Sequence, residues 1–313
     1  MLRKLRHTAL AALVALSAAP SIALADAPAS AGALPVPLLW KVSDADNAVY
    51  LLGSFHLLKE SDYPLAPEVD AAFEDSAALV FEVEPSELTS LATAQKFAQA
   101  ATYEDGKSLS SVLPEDVKNR LGQLLSASGA SLAQVEASEP WAITLGMVMG
   151  IAQSAGFRPE QGLDQHFIRR ASEAGKPVAG LETVDVQVAA MDKAPYSEQV
   201  YSLNELISDP ARTVRQLHEL HEAWRKGDTE KLDGKMRQEM IAHTPVSYRM
   251  LNVDRNNAWM PAIEKRLTAP GTDNTLIVVG ALHLMGEDGV VEKLRAKGYQ
   301  VERLCSACAA GQN

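Results

Sequence analysis

Two histidines share one local context. The first lies in Gly53-Ser54-Phe55-His56-Leu57-Leu58-Lys59-Glu60, the second in Gly280-Ala281-Leu282-His283-Leu284-Met285-Gly286-Glu287. Both follow the template G-x-x-H-L-(L/M)-x-E, and both leave an apolar, β-branched run. A single G-x-x-H says little. Two copies with the same spacing imply the same geometry, so the pair predicts two imidazoles delivered to one place. Gly53 and Gly280 are expected to let the backbone turn sharply ahead of each histidine.

Carboxylates end two further runs. Ala77 to Glu84 (AALVFEVE) is apolar and turns acidic at Glu82 and Glu84; Lys176 to Glu182 (KPVAGLE) ends on Glu182. Residues two apart on a strand share a face, which sets Glu82 and Glu84 together and Phe81 and Val83 opposite. A carboxylate in so apolar a run is costly unless it is paired, hydrogen-bonded or metal-bound. Two neutral imidazoles and a carboxylate are an ordinary ligand set for a divalent transition ion such as Zn, Mn or Co. His56, His283 and Glu82 are therefore the candidate ligands. Glu84, Asp164, Glu182 and Glu287 are second-tier candidates, as ligands or as groups that orient the ligands.

Simpler roles stand beside these. A loop histidine can cap or hydrogen-bond backbone, and Glu82 can be a buried ion-pair partner of Arg255. Arg255 itself can stabilise an oxyanion or pair with Glu82 or Asp164. Glu60, next to Lys59, reads as a solvated loop acid. His218 and His221 lie three apart in HELHE, not at the spacing of H-E-x-x-H, and read as a solvated helix face. His166 reads as a packing or surface residue and His243 as a helix-end cap. There is no G-x-S-x-G elbow and no Gly-rich phosphate loop. Ser54 is replaced by Ala281 in the second copy, so a serine nucleophile would serve only one of them.

The elements that must carry these side chains follow from the pattern. Leu38–Lys41 and Ala48–Gly53 read as strands, then come the first motif, a helix over 67–76 and the strand 77–84. Near the end the order recurs: strand 275–280, motif, helix 290–297 closed by Gly298, strand 299–304. The expected fold is α/β. A mixed central sheet is built from two repeated strand–GxxH loop–helix–strand units, residues 38–85 and 271–305, around a mostly helical insertion over 86–260. Within the insertion, helices are expected at 114–126 and 163–174, with a strand at 176–182. Trp141–Ala155 is expected to be a core helix whose Gly146 and Gly150 allow close packing. Breaks are expected at Pro195, Pro210, Gly227 and Pro245. Both histidines then sit at the exit ends of strands, where ligand sites of α/β sheets gather.

Residues 1–25 read as a cleaved signal peptide: basic Arg3, Lys4 and Arg6, an apolar stretch from Ala9 to Ala19, and Ala23-Leu24-Ala25 as the cleavage site. That leaves 26–313 as a single domain in the periplasm or outside the cell, with no stable membrane insertion after cleavage. The formal net charge of −11 includes the basic leader. Without a basic block, nucleic acid and anionic membranes are poor partners. Cys305 and Cys308 are the only cysteines; in an oxidising compartment they are expected to form a local disulfide that ties down the tail.

The ordered motifs resemble the TraB/PrgY/GumN family, which includes the animal Tiki proteins. The resemblance runs through both G-x-x-H motifs, FEVEPSE, SLSSVLPEDVKNRL, GLDQHF, KPVAGLET, Asp254-Arg255-Asn256 with Met260, and GALHLMGEDGVVEKLRAKGYQVERL. Tiki proteins are described as metal-dependent proteases whose essential residues match His56, Glu82 and His283. The resemblance thus implies a metal-dependent, peptidase-like hydrolase in which the ion activates a water and Glu82 is ligand or base. The alternative is a non-catalytic protein that sequesters a peptide, metal or cofactor in the same cleft. Nothing in the residues fixes the oligomeric state.

Overall fold

The computed structural model describes residues 34–308 apart from Asp105; the signal-peptide expectation falls outside that range. Six strands form one sheet: β1 Leu39–Ser43, β2 Ala48–Ser54, β3 Ser76–Val83, β4 Val178–Glu182, β5 Asn274–Gly280 and β6 Gln300–Arg303. Every residue of β2 is buried, as is all of β5 after Asn274, which is why both read as near-continuous apolar runs rather than alternating ones.

The strand order is β4-β3-β5-β2-β1-β6. β3 is parallel to β4 and to β5, and β2 is parallel to β5. β1 runs antiparallel to both β2 and β6. The sheet is therefore mixed, as expected, and its four adjacent parallel strands end at one edge. That edge carries Glu182, Glu82, Gly280 and Ser54 side by side. Each G-x-x-H loop is followed by a helix, Pro67–Asp75 or Val290–Ala296, and then by a strand. The two units are not placed alike in the sheet. β3 is separated from β2 by β5 alone, whereas β6 is separated from β5 by both β2 and β1.

The helix Asp254–Leu267 covers the sheet through Asn256, Trp259, Met260, Ile263 and Leu267, all buried at helical spacing. Its first turn is preceded by a π turn, Arg249–Val253, in which the Asp254 N–H donates to Arg249 O. The wide turn changes the phase of the helix ahead of Arg255, a common device at functional sites. Breaks fall where proline and glycine put them. Pro195 precedes the helix Tyr196–Ser208, Pro210 opens Pro210–Arg225, and Pro245 opens Pro245–Tyr248. Gly227 adopts a φ of 61°.

The helix Pro140–Ser154 departs from expectation. Only Pro140, Trp141, Ile143 and Ala152 are buried along it. Leu145 is 41% exposed. A Cβ added at Gly146 or Gly150 would meet nothing within 4 Å, so neither glycine serves close packing. The physical reason is that the helical insertion has a small apolar cluster of its own, Leu109, Leu113, Val117, Leu121, Ile143, Leu203 and Ile207. That cluster needs only one side of this helix. The other side lines an open apolar groove with Leu124, Pro210 and Val214.

Candidate active site

Glu82 lies at the centre. Its Oε1 accepts from the Gly280 N–H at 2.7 Å and stands 3.9 Å from both His56 Nε2 and His283 Nε2. The two motif histidines thus meet across the ends of β2 and β5, which the parallel register sets beside one another. At 3.9 Å neither imidazole is hydrogen-bonded to the carboxylate, so the gap can take a small bridging atom. Gly280 forms the floor of this gap. A Cβ there would lie 3.2 Å from Glu82 Oε1, 3.2 Å from His56 Nε2 and 3.5 Å from His283 Cδ2.

The motif glycines are needed for space rather than for a turn. Gly280 has φ −52° and ψ 136°, open to any residue, and Gly53 is not among the glycines at positive φ. At Gly53 a Cβ would come within 3.0 Å of the Leu38 Cβ and 3.3 Å of Ala281. Trp224 Nε1 also donates to the Gly53 carbonyl at 3.0 Å.

The far nitrogens of the two imidazoles meet unlike partners. His56 Nδ1 lies 3.1 Å from Asp164 Oδ1, which also accepts from Ser54 Oγ at 3.0 Å. Asp164 belongs to the first turn of the helix Leu163–Ala174, set against β2 by its own N–H to Ser54 Oγ at 3.3 Å. His283 Nδ1 lies 2.7 Å from Asn256 Oδ1, while Asn256 Nδ2 donates to the carbonyls of His283 and Asp288. With its amide nitrogen so engaged, Asn256 presents its oxygen, and His283 carries its proton on Nδ1. The lone pair of His283 is therefore on Nε2.

Arg255 fills the rest of the site. Nη2 donates to Glu82 Oε2 and to Glu182 Oε1, each at 2.6 Å. Nε donates to Glu182 at 2.9 Å and 3.1 Å. Nη1 donates to Leu251 O at 3.0 Å and to His283 Nε2 at 3.2 Å. A guanidinium has five N–H groups, and all five are used. Glu182 is completed by Trp259 Nε1 at 2.8 Å, and Glu82 Oε2 by Gln187 Nε2 at 3.2 Å. The Trp259 ring packs against His283 with centroids 4.4 Å apart.

These surroundings set the charges. At His56 burial works to lower the pKa, but the Asp164 carboxylate, with Glu82 beyond it, outweighs this and lifts it to about 9. More than half of that side chain, 57%, is open to water, which screens part of the lift. His283 is the opposite case. Burial, with Arg255 beside it, drives its pKa down to about 3 despite Glu82, so it is neutral at pH 7. Burial alone would raise the Glu82 carboxyl, but His283, Arg255, His56 and the Gly280 N–H hold it well below the usual range. Burial opposes the charge on Arg255 as well, and Glu82 and Glu182 more than restore it.

Of the expected site residues, His56, Glu82, His283, Asp164, Glu182 and Arg255 come together. Glu84 does not: β3 ends at Val83, and Glu84 is exposed and accepts from Ser86. Glu287 is exposed, and the position beside His283 is taken by Asn256. Glu60 is exposed. Arg255 pairs with Glu82 and Glu182, whereas Asp164 pairs with His56. Cys305 and Cys308 are disulfide-bonded. His166 stacks on Tyr63, and His243 stacks on Tyr201 at a helix end.

His221 is a clear departure from the solvated face expected of it. It is buried, with Nε2 2.8 Å from Asp62 Oδ2, and Arg225 holds the other oxygen of the same carboxylate. Trp224, three residues on, was the available signal, since it marks that side of the helix as inward. Asp62 also accepts from the Lys59 N–H at 2.8 Å, so this buried cluster fastens the loop that follows His56. Gln187 and Trp259 carry no signal in the sequence, because neither residue type points to chemistry outside its tertiary context.

The side chains do not leave a place for the ion that the resemblance implies. His283 Nε2 has given its lone pair to Arg255; Glu82 Oε2 is taken up by Arg255 and Gln187, while Oε1 accepts from the Gly280 N–H and keeps one lone pair. Of the three expected donor groups, His56 Nε2 and Glu82 Oε1 can still take a partner, and two donors fall short of the three protein ligands of an ordinary metal centre. Among the described residues no group of three or more His, Cys, Asp or Glu is arranged to hold a metal.

A family profile, that of the TraB/PrgY/gumN family, matches residues 38–303. The chain belongs to that family. It is 24% identical over 246 residues to the uncharacterized protein YbaP of Escherichia coli (strain K12), across 79% of this chain and 87% of that protein. The same figures hold for YbaP of Shigella flexneri. The family match spans every strand of the sheet and every residue of the site described above. No helix among the described residues is long and apolar enough to cross a membrane.

Proposed function

We propose that this family member is an exported hydrolase, periplasmic or secreted, that acts on peptides at the cleft between His56, Glu82 and His283. The observation that carries the proposal is the convergence of two imidazole Nε2 atoms on one carboxylate oxygen, each at 3.9 Å, above a glycine that keeps the gap open. Export is supported by the leader-like first 25 residues, and the peptide by the resemblance to Tiki proteins. In these relatives the chemistry is described as metal-dependent; a Zn, Mn or Co ion here would require Arg255 to leave His283.

The chain's own side chains suffice for a general-base route. His56, in its neutral form, takes a proton from a water lying between its Nε2 and Glu82 Oε1, and the resulting hydroxide attacks the carbonyl. The imidazolium so formed lies between Asp164 and Glu82, which stabilise its charge. Asp164 also fixes the ring orientation, so that Nε2 faces the gap. The proton then passes from His56 to the leaving amine. Glu82 is too acidic to serve as the base, and orients the water by accepting from it. The saturated Arg255 has no N–H left for an oxyanion and acts through its charge.

The test is a peptide-library hydrolysis assay on the mature protein, with and without added divalent ions, alongside His56→Ala. Turnover in the wild type that falls at least 100-fold in the variant is expected. Equal turnover in both, or stoichiometric retention of a peptide with no turnover under any condition, would replace the hydrolase with the binding protein.

A further inference from the structure

We infer that the guanidinium of Arg255 is the resident cation of this site, standing where a divalent ion would bind, so that the wild-type protein does not take a metal between His56, Glu82 and His283. The inference takes that cleft as the working site, but not that it hydrolyses anything. It departs from what the family resemblance implies, and it rests on which lone pairs are already spent.

A shared ion would need His283 Nε2, His56 Nε2 and a Glu82 oxygen to turn to one point. His283 Nε2 accepts from Arg255 Nη1 at 3.2 Å, and its tautomer is locked by Asn256 at Nδ1. Glu82 Oε2 accepts from Arg255 Nη2 at 2.6 Å. One guanidinium thus reaches two of the three expected ligands at once, and places its positive charge between them. It cannot easily step aside. Its remaining N–H groups are held by Glu182 and by the Leu251 carbonyl, the latter from the π turn ahead of the helix. Arg255 is 6% exposed and the Glu182 side chain 4%, so water does not offer itself as a replacement partner. Trp259 closes the far side of Glu182. An incoming dication would meet an immobile cation beside its binding point, on two of its three ligands.

The arrangement also supplies what an ion would otherwise supply. The guanidinium neutralises Glu82 and Glu182 and fixes the Glu82 carboxylate. It also keeps His283 a neutral acceptor. Removing it should therefore do more than damage the site. It should free His283 Nε2 and Glu82 Oε2 together, leaving two imidazoles and a carboxylate around a space with two uncompensated negative charges. That is a metal site.

The experiment measures metal directly, without reference to turnover. Mature wild type, His283→Ala, Arg255→Ala and Arg255→Met are stripped with chelator and titrated with Co²⁺ and Zn²⁺ by calorimetry, with the visible absorption of Co²⁺ as a second readout. Thermal melts establish which variants are folded. The wild type is expected to show no ion that depends on His283. At least one folded Arg255 variant is expected to take one ion at least 100-fold more tightly than wild type, and to lose it when His283→Ala is added. One ion bound by the wild type and lost in His283→Ala would overturn the inference. So would failure of folded Arg255 variants to gain an ion, since the guanidinium would then not be standing in an ion's place. The wild-type arm needs no Arg255 substitution, and a His283-dependent ion in it overturns the inference even if neither Arg255 variant folds. Hydrolysis by a metal-free wild type leaves the inference standing, and a protein inert on every peptide does not touch it.

Discussion

His56 and His283 approach Glu82 Oε1 to the same 3.9 Å, yet the far side of each ring meets a different chemistry, the Asp164 carboxylate for one and the Asn256 amide for the other. Alike in sequence, the two motifs become unlike in charge. One imidazole is open to water and held strongly basic; the other is buried and held neutral. Pairs of titratable groups pushed apart in this way mark acid–base sites.

The pH dependence follows from that asymmetry. His56 works as a base only when neutral, and its pKa is raised to about 9. kcat/KM for a peptide substrate should therefore rise with pH through the neutral range and level off above the ordinary imidazole pKa, by about pH 9 at the latest because water screens part of the lift. Asp164→Asn removes the main source of the lift, so the rising limb should move to lower pH while the plateau rate falls. Stability responds with the opposite slope. A His pKa raised on folding stabilises fully below its unfolded value of about 6.5, and the contribution is lost as pH rises through about 9. A rate profile that falls between pH 6 and 9 would show His56 acting as an acid instead.

Glu182 holds Arg255 by three hydrogen bonds. Glu182→Ala should cost about 3–5 kcal/mol of stability, because it leaves Glu82 as the one carboxylate on a buried guanidinium and orphans the Trp259 N–H. Glu182→Gln keeps the shape and one acceptor and should cost less. Urea unfolding of both, read by Trp fluorescence, checks the order. If alanine and glutamine cost the same, the carboxylate charge is what matters and the hydrogen-bond count is not.

Much of this was readable from residue types. Strands β2, β3 and β5 announce themselves as apolar runs, β-branched in β5, and the repeated G-x-x-H places both imidazoles at strand exits. Glu82 stands out as an acid in an apolar strand. What could not be read was partner choice. Arg255 takes Glu182 rather than Asp164 because β4 lies next to β3, and strand order is a long-range property that no local pattern encodes. Asn256 at His283 and Gln187 at Glu82 are neutral amides, which sequence alone does not distinguish from surface residues. Glu287 was favoured by its place in the repeat, but the second motif folds into a short 3₁₀ turn, Ala281–Leu284, and Glu287 is left exposed in the chain that follows.

Gly280→Ala tests the floor of the gap. The added Cβ would sit 3.2 Å from both Glu82 Oε1 and His56 Nε2, closer than ordinary contact. The backbone angles suit alanine, so the cost in stability should be modest, about 1–3 kcal/mol from overpacking. Activity should fall by 100-fold or more, since a methyl occupies the water's place. Melting temperature and kcat measured together separate the two effects. A variant that is active and merely less stable would mean the reacting water lies elsewhere.

The last prediction concerns the cluster that fastens the first motif from behind. Asp62 is 1% exposed and bonded to His221, Arg225 and the Lys59 N–H. Burial alone would raise its pKa, but His221, the Lys59 N–H and Arg225 outweigh this and hold it below 3.8. A carboxyl depressed on folding stabilises above its unfolded pKa, and the contribution is lost as pH falls through about 4 and below. Asp62→Ala should destabilise by about 3–5 kcal/mol at pH 7, because it leaves the buried His221 imidazole and the Lys59 N–H without their carboxylate. The difference between variant and wild type should shrink as pH drops towards 3. Because Lys59 lies three residues from His56, the variant should also lose turnover ahead of global unfolding, visible as inactivation at urea concentrations where Trp fluorescence is still native. Inactivation and unfolding at the same urea concentration would show that the cluster holds the fold as a whole and not the catalytic loop.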